Sequence, residues 1–138
     1  MKKIFTLFAA VAAFASVNAQ QLYLVGDINS WNISSPIQMT LGGDGVTNTY
    51  ELNLSKAQNI FVCTAAASDW TVMNSGLRYA ITQNKNVSIT QSGNYQLITV
   101  SEGNFNLSPG KWTITVNAET MAATFAKEGS VEDFYHVT

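Results

Sequence analysis

The feature that most constrains this chain is a rhythm of short apolar segments broken every few residues by turn formers. Past the N-terminal stretch, no ten-residue segment repeats at the helical period. Tyr50, Leu52 and Leu54 alternate with Glu51, Asn53 and Ser55, the period-two pattern of a strand that buries one face. The same reading predicts strands near Gln21–Gly26, Asn59–Thr64, Leu77–Ile81, Asn86–Ile89, Tyr95–Val100, Asn104–Leu107, Lys111–Val116 and Met121–Ala126. Between them lie Gly42-Gly-Asp-Gly45, Asn74-Ser-Gly76, Ser92-Gly-Asn94, Ser108-Pro-Gly110 and Asn117-Ala-Glu-Thr120, which supply positive φ or side-chain bonds to the backbone. Many short strands with such turns imply an all-β sandwich.

The two ends read differently from the middle. Lys2 and Lys3 precede an apolar run from Ile4 to Val17, and Val17-Asn-Ala19 offers the small residues of a cleavage site. Residues 1–19 therefore read as a secretory signal peptide. The run is shorter than the roughly 20 apolar residues of a membrane span, so no membrane insertion is expected. No cysteine follows the run, so no lipid anchor is expected either. Residues 20–126 read as one uninterrupted domain. The tail, residues 127–138, begins polar and ends with Phe134, Tyr135 and Val137; it either adds an edge strand or hangs loose, and its apolar side chains favour a packed end. The expected location is outside the cytoplasm: periplasmic, secreted or associated with the outer membrane.

Charge and chemistry exclude several classes. Charged residues make up 12% of the chain and the formal net charge is −2. Lys56, Arg78, Lys85, Lys111 and Lys127 are scattered, so no nucleic acid partner is expected. Asn, Gln, Ser and Thr abound, a surface suited to hydrogen bonding with neutral ligands such as sugars. Cys63 is the sole cysteine, which excludes an internal disulfide, and its apolar neighbours predict a buried thiol. The chain lacks a nucleophile elbow, a phosphate-binding loop, a dinucleotide fingerprint and a zinc-protease motif, and its one histidine is His136. No catalytic residue, metal site or cofactor is expected. Nine acidic residues permit carboxylate pairs, but nothing in the sequence shows which could meet. Asp44, within Gly42–Gly45, fits a hairpin turn better than a calcium site, since no further spaced acids accompany it.

The three tryptophans separate by position. Trp112 alternates with Ile114 and Val116, opposite Thr113 and Thr115, and so points into the sandwich. Trp31 and Trp70 end strand-to-loop passages and belong to no alternating stripe. An indole on a loop either packs back locally or presents its flat face to a ligand, and the residues leave both readings open.

In order, Tyr23-Leu-Val-Gly-Asp27, Trp31-Asn, Pro36-Ile-Gln-Met-Thr40, Tyr50-Glu-Leu-Asn-Leu54, Ser68-Asp-Trp70, Asn104-Phe-Asn-Leu107, Gly110-Lys-Trp-Thr-Ile-Thr-Val116 and Thr120-Met-Ala-Ala-Thr-Phe125 resemble a domain of the SusE/SusF family of starch-binding outer-membrane proteins of Bacteroidetes. Val25-Gly-Asp-Ile-Asn-Ser-Trp31 is more distantly similar to the opening of glycogen-binding modules. The resemblance implies a single immunoglobulin-like antiparallel sandwich that binds α-1,4-glucans without cleaving them, with Trp31 and Trp70 stacking on adjacent glucoses. In the related glycogen-binding modules a lysine precedes the second tryptophan by seven residues, where this chain has Cys63. Arg78 and Lys56 are the cations that could replace it. Asn104 matches an asparagine that contacts sugar in those modules, with Asn106 as the second choice.

The expected function is thus non-catalytic binding of starch or maltooligosaccharide, with Trp31, Trp70, Arg78, Lys56 and Asn104 as site residues. The alternative is an exported structural or interaction domain whose partner is a protein or another component of the cell envelope. The changed position 63 and the missing anchor favour that alternative.

Overall fold

The computed structural model describes residues 19–129. The expected leader up to residue 18 and the tail from residue 130 lie outside the described residues. Within them the strands are β1 (Tyr23–Gly26), β2 (Ile37–Gln38), β3 (Thr40–Leu41), β4 (Thr47–Leu54), β5 (Gln58–Cys63), β6 (Arg78–Ala80), β7 (Asn86–Ile89), β8 (Gly93–Gln96), β9 (Ile98–Thr99), β10 (Asn104–Leu107), β11 (Gly110–Asn117) and β12 (Ala122–Lys127). They form a five-stranded sheet in the order β3-β4-β11-β12-β8 and a seven-stranded sheet centred on β5. One edge of β5 pairs with β1, which carries β2 beyond it. The other edge is shared: β6 takes the Cys63 end and β10 the Gln58 end, with β9 beyond β6 and β7 beyond β10. All pairings are antiparallel except β7 with β10, which is parallel.

Alternation dictates which side chains meet between the sheets. Leu24, Ile60, Val62, Phe105 and Leu107 of the larger sheet face Leu52, Trp112, Ile114, Val116 and Phe125 of the smaller one, all in one buried cluster. Trp112 is 2% exposed, and its indole N–H donates to the Ser108 carbonyl at 2.8 Å. The Phe105 and Phe125 rings meet at 4.8 Å and 67°, the edge-to-face geometry that aromatic quadrupoles favour. Asn48, fully buried, is satisfied on both sides of its amide: Oδ1 accepts from the Leu22 N–H, and Nδ2 donates to the Gln20 and Val46 carbonyls.

The segment read as one strand, Tyr95–Val100, is two. Gly93–Gln96 pairs with β12 in the smaller sheet, and Ile98–Thr99 pairs with β6 in the larger. Leu97, buried between them, gives its N–H to the Met121 carbonyl at 2.9 Å. Met39 makes the same switch between β2 and β3, with its N–H on the Leu22 carbonyl. These crossovers tie the two sheets covalently at buried side chains. Sequence periodicity assigns neither β2 nor β3, because a two-residue strand has no period. Asp44 sits in a hairpin turn: Oδ1 accepts from the Val46 and Thr47 amides, and Oδ2 accepts from the Thr47 hydroxyl. The Thr47 hydroxyl and these amides hold its carboxyl down at a pKa of about 2.

At Gly26 the backbone of β1 presses against β5. A Cβ there would stand 2.1 Å from the Asn59 carbonyl oxygen and 2.8 Å from the Ile60 Cα, so only glycine fits. Gly26→Ala is expected to lower stability by about 1–3 kcal/mol, read as a lower urea midpoint with an unchanged slope. Gly43→Ala, whose Cβ meets nothing within 4 Å, should stay within about 0.5 kcal/mol of the parent.

Candidate functional site

Strand β5 is buried along Ile60–Cys63 without interruption, which one core cannot explain, since alternate side chains point to opposite faces. Ile60 and Val62 enter the main core. Phe61 and Cys63 point the other way into a second cluster on the outer face of the larger sheet, with Val25, Ile33, Ala67 and Met73. Two connections supply that cover: the β1–β2 loop brings Ile33 and Trp31, and the β5–β6 loop brings Ala67, Met73 and Leu77.

Both loop tryptophans land on this cluster. The Trp31 ring lies 6.2 Å from the Phe61 ring at 40°, and the Trp70 ring lies 6.2 Å from it at 67°. Trp31 and the preceding Ser30 adopt left-handed backbone, with φ of 58° and 59°, an unfavourable conformation for residues other than glycine. The loop is fixed by hydrogen bonds. The Trp31 amide donates to the Gly26 carbonyl at 2.9 Å, and its indole N–H donates to Asp27 Oδ1 at 2.9 Å. Asp27 Oδ2 in turn accepts the Asn59 amide at 2.8 Å. Trp31 is half-buried as a result.

Trp70 opens a short helical turn, Trp70–Val72, where the sequence suggests only loop. Asp69 caps it by accepting the Val72 N–H at 3.0 Å. The chain continues through Met73–Leu77, with Gly76 at φ 123° turning it into β6. Trp70 is 40% exposed. It stays substantially accessible while packing on Phe61 with the two rings steeply inclined.

Arg78 completes the group. It is the cross-strand partner of Cys63 and is 6% exposed. Its Cζ stands 4.2 Å from the centre of the Phe61 ring and 5.8 Å from that of Trp70, within cation–π range. Nε and Nη2 donate to the Gly103 carbonyl at 3.2 and 3.0 Å, Nη1 to Asn74 Oδ1 at 2.9 Å, and Nη2 also to Asn104 Oδ1 at 3.0 Å. Burial pulls its pKa below the ordinary arginine value, against the opposing field of Glu102, and an arginine so displaced is still a cation. The site residues expected from the sequence are thus brought together in four cases: Trp31, Trp70, Arg78 and Asn104. Lys56 lies in the exposed turn before β5, at the end of that strand away from Cys63. Phe61, which carries both indoles and the guanidinium, is the residue the sequence reading misses. The uninterrupted apolar run Ile60–Cys63 is the signal that could have found it, because such a run needs burial on both faces.

Cys63 is fully buried as expected, and burial pushes its thiol up to about 12. Two depressions elsewhere, one lined by Glu51, Lys111, Trp112 and Glu128 and one by Thr40, Thr49 and Tyr50, open on the smaller sheet, away from Trp31, Trp70 and Phe61. Among the described residues no three His, Cys, Asp or Glu side chains cluster as metal ligands, and no helix is long and apolar enough to cross a membrane. His136 lies outside the described residues.

No protein-family model and no curated protein matches the chain. Among solved structures the chain is similar to SusF from Bacteroides thetaiotaomicron, with a TM-score of 0.58 and 18% identity. The match covers 91% of this chain and 26% of SusF, so the chain spans about a quarter of that protein's length. At that identity the likeness shows a shared immunoglobulin-like β-sandwich fold.

With its thiol buried and held protonated, Cys63 is expected to be inert to Ellman's reagent at pH 8 in the native protein. It should titrate as one thiol per chain in denaturing urea. Rapid native reaction would show that the outer cluster opens.

Proposed function

We propose that the chain is a non-catalytic carbohydrate-binding module for α-1,4-glucan, starch or maltooligosaccharide, with Trp31 and Trp70 as its stacking surface. The observation that carries the reading is the convergence of both indoles on Phe61 on one outer sheet face. Trp70 is accessible there, beside the Arg78 guanidinium and the Asn74 and Asn104 amides that hold it, while the Asp27 and Asp69 carboxylates are engaged by the loops. Pyranose rings offer apolar C–H faces to an indole and hydroxyls to amides, and this surface presents both kinds of partner. In this reading Asn104 is a hydrogen-bonding side chain. Arg78, with most of its N–H donors already used by Gly103, Asn74 and Asn104, holds the platform together and offers its one remaining N–H to a hydroxyl. The likeness to the SusF fold agrees with the reading, as does the order of motifs shared with starch-binding domains. The same reading places the protein in the cell envelope after removal of residues 1–19.

Aromatic contacts contribute roughly 0.5–1.5 kcal/mol each beyond area burial, and association entropy opposes them. The expected dissociation constant is about 10 μM to 1 mM, so strength comes from repetition along a polymer. Titration of maltoheptaose followed by tryptophan fluorescence tests this. Trp70→Ala should weaken binding about five- to tenfold and lower the urea midpoint less than Trp31→Ala does. Trp31→Ala should lose binding and also about 1–2 kcal/mol of stability, because Trp31 packs on Phe61 and bonds Asp27. If no α-glucan changes the emission or the thermal midpoint of the parent protein, the proposal is wrong and an envelope-protein partner takes its place.

A further inference from the structure

The outer face of the larger sheet continues past the indoles. Asn59 shares that face of β5 with Phe61, and the register sets Asn59 opposite Asn106 on β10 and Asn106 opposite Ser88 on β7. In the next row Asn104 stands opposite Asn86. The inward neighbours Ile60, Phe105, Leu107 and Ile89 all lie in the main core, so alternation leaves the amides on the outside. None of these five polar residues carries a formal charge. Asparagine is disfavoured in strands, and a merely solvated face has a better choice available. The smaller sheet mostly makes that choice: its outer row runs Thr40, Thr49, Thr115, Thr124 across four strands, with one asparagine, Asn94, on the edge strand.

The amides are also wired to the aromatic group. Asp27 accepts the Trp31 indole N–H on one oxygen and the Asn59 backbone N–H on the other, which ties the tryptophan loop to the strand beside that side chain. Arg78, over Phe61, donates to Asn104 Oδ1, and Asn104 Nδ2 passes a hydrogen bond on to Asn86 Oδ1 at 2.9 Å. Asn106 Nδ2 donates to Asn59 Oδ1 at 2.9 Å. These bonds orient the amides, and Nδ2 of Asn59, Nδ2 of Asn86 and Oδ1 of Asn106 take no protein partner among the described residues. Fixed donors and acceptors without charge complement neutral hydroxyls and discriminate against ionic ligands.

We propose that the binding surface extends from Trp31 and Trp70 across β5, β10 and β7 as an uncharged amide strip, and that its occupant is an extended stretch of a long, linear α-glucan. The inference rests on the carbohydrate reading above. It sets the length of ligand the site engages.

The test is calorimetric titration of maltotriose and maltoheptaose into the parent protein, Asn59→Thr/Asn106→Thr and Asn86→Ala. The parent should bind maltoheptaose at least about tenfold more tightly than maltotriose, more than the extra registers of a longer chain supply. Each variant should lose about three- to tenfold in maltoheptaose affinity, as expected for one or two lost hydrogen bonds. Maltotriose affinity should stay at the parent value, which also reports an intact fold. Equal affinity of the parent for both sugars overturns the strip and leaves the carbohydrate reading standing, provided Trp70→Ala still weakens binding about five- to tenfold. Unchanged maltoheptaose affinity in the variants does the same. Should the double variant lose both sugars through misfolding, Asn86→Ala at the exposed sheet edge decides. Absence of binding to either sugar by the parent overturns both readings.

Discussion

Strand β5 is buried on both faces, and the rest of the molecule is arranged around that requirement. A sandwich strand normally hides one side and leaves the other to water. Ile60 and Val62 meet the opposite sheet, whereas Phe61 and Cys63 need cover from outside. At roughly 25 cal/mol per Å² of apolar surface, an exposed phenylalanine and its apolar neighbours would cost several kcal/mol. The β1–β2 and β5–β6 connections supply the cover, and in folding over the sheet they bring Trp31 and Trp70 to one place. The convergence of the two indoles is therefore a packing consequence of position 61.

Phe61 also explains how a guanidinium is tolerated at the sheet surface with so little exposure. A buried cation needs its donors satisfied and its charge opposed or polarised. Arg78 meets the first condition with Gly103, Asn74 and Asn104, and the second with the faces of Phe61 and Trp70. The Gly103 carbonyl can reach it because residue 103 has no side chain. A Cβ there would stand 2.6 Å from the Thr82 carbonyl oxygen, and its φ of 134° disfavours any other residue. The register sets Arg78 directly across from Cys63, and its positive charge is bound chiefly by the protein.

Much of this architecture is legible in the sequence because it depends on period-two alternation. Tyr50–Leu54 and Trp112–Val116 read correctly, since one apolar and one polar face leave no ambiguity about the core. Asn86–Ile89 and Asn104–Leu107 have the bounds expected for them. Alternation does not specify partners, however. It cannot reveal that β7 and β10 run parallel, nor that the chain changes sheets at Met39 and Leu97, where a buried side chain continues the pattern while the hydrogen bonds move to another strand. The site divides in the same way. Tryptophans outside any stripe stand out, whereas Arg78 and Asn104 are reached only through the resemblance to glycogen-binding modules. Their common support, Phe61, is hidden inside a run of apolar residues that looks like ordinary core.

The two indoles are held to different degrees, and under the proposed carbohydrate reading this matters for a weak ligand. Trp31 is bound at its backbone amide and its ring N–H, and the left-handed conformation of Ser30 and Trp31 is kept by those bonds against its intrinsic cost. Trp70 stands on a three-residue helical turn held by the Asp69 cap and packs on Phe61 with the rings at 67°. Ordering a rotamer-rich side chain on binding costs about 0.5–1.5 kcal/mol, comparable with what one aromatic contact returns. A surface with both indoles loose would gain almost nothing by closing on a sugar, and one with both fixed could not adjust to the twist of a glucan chain. Fixing Trp31 through Asp27, which also holds β5 at Asn59, sets one reference plane rigidly to the sheet. The more exposed Trp70 is then the partner with room to tilt.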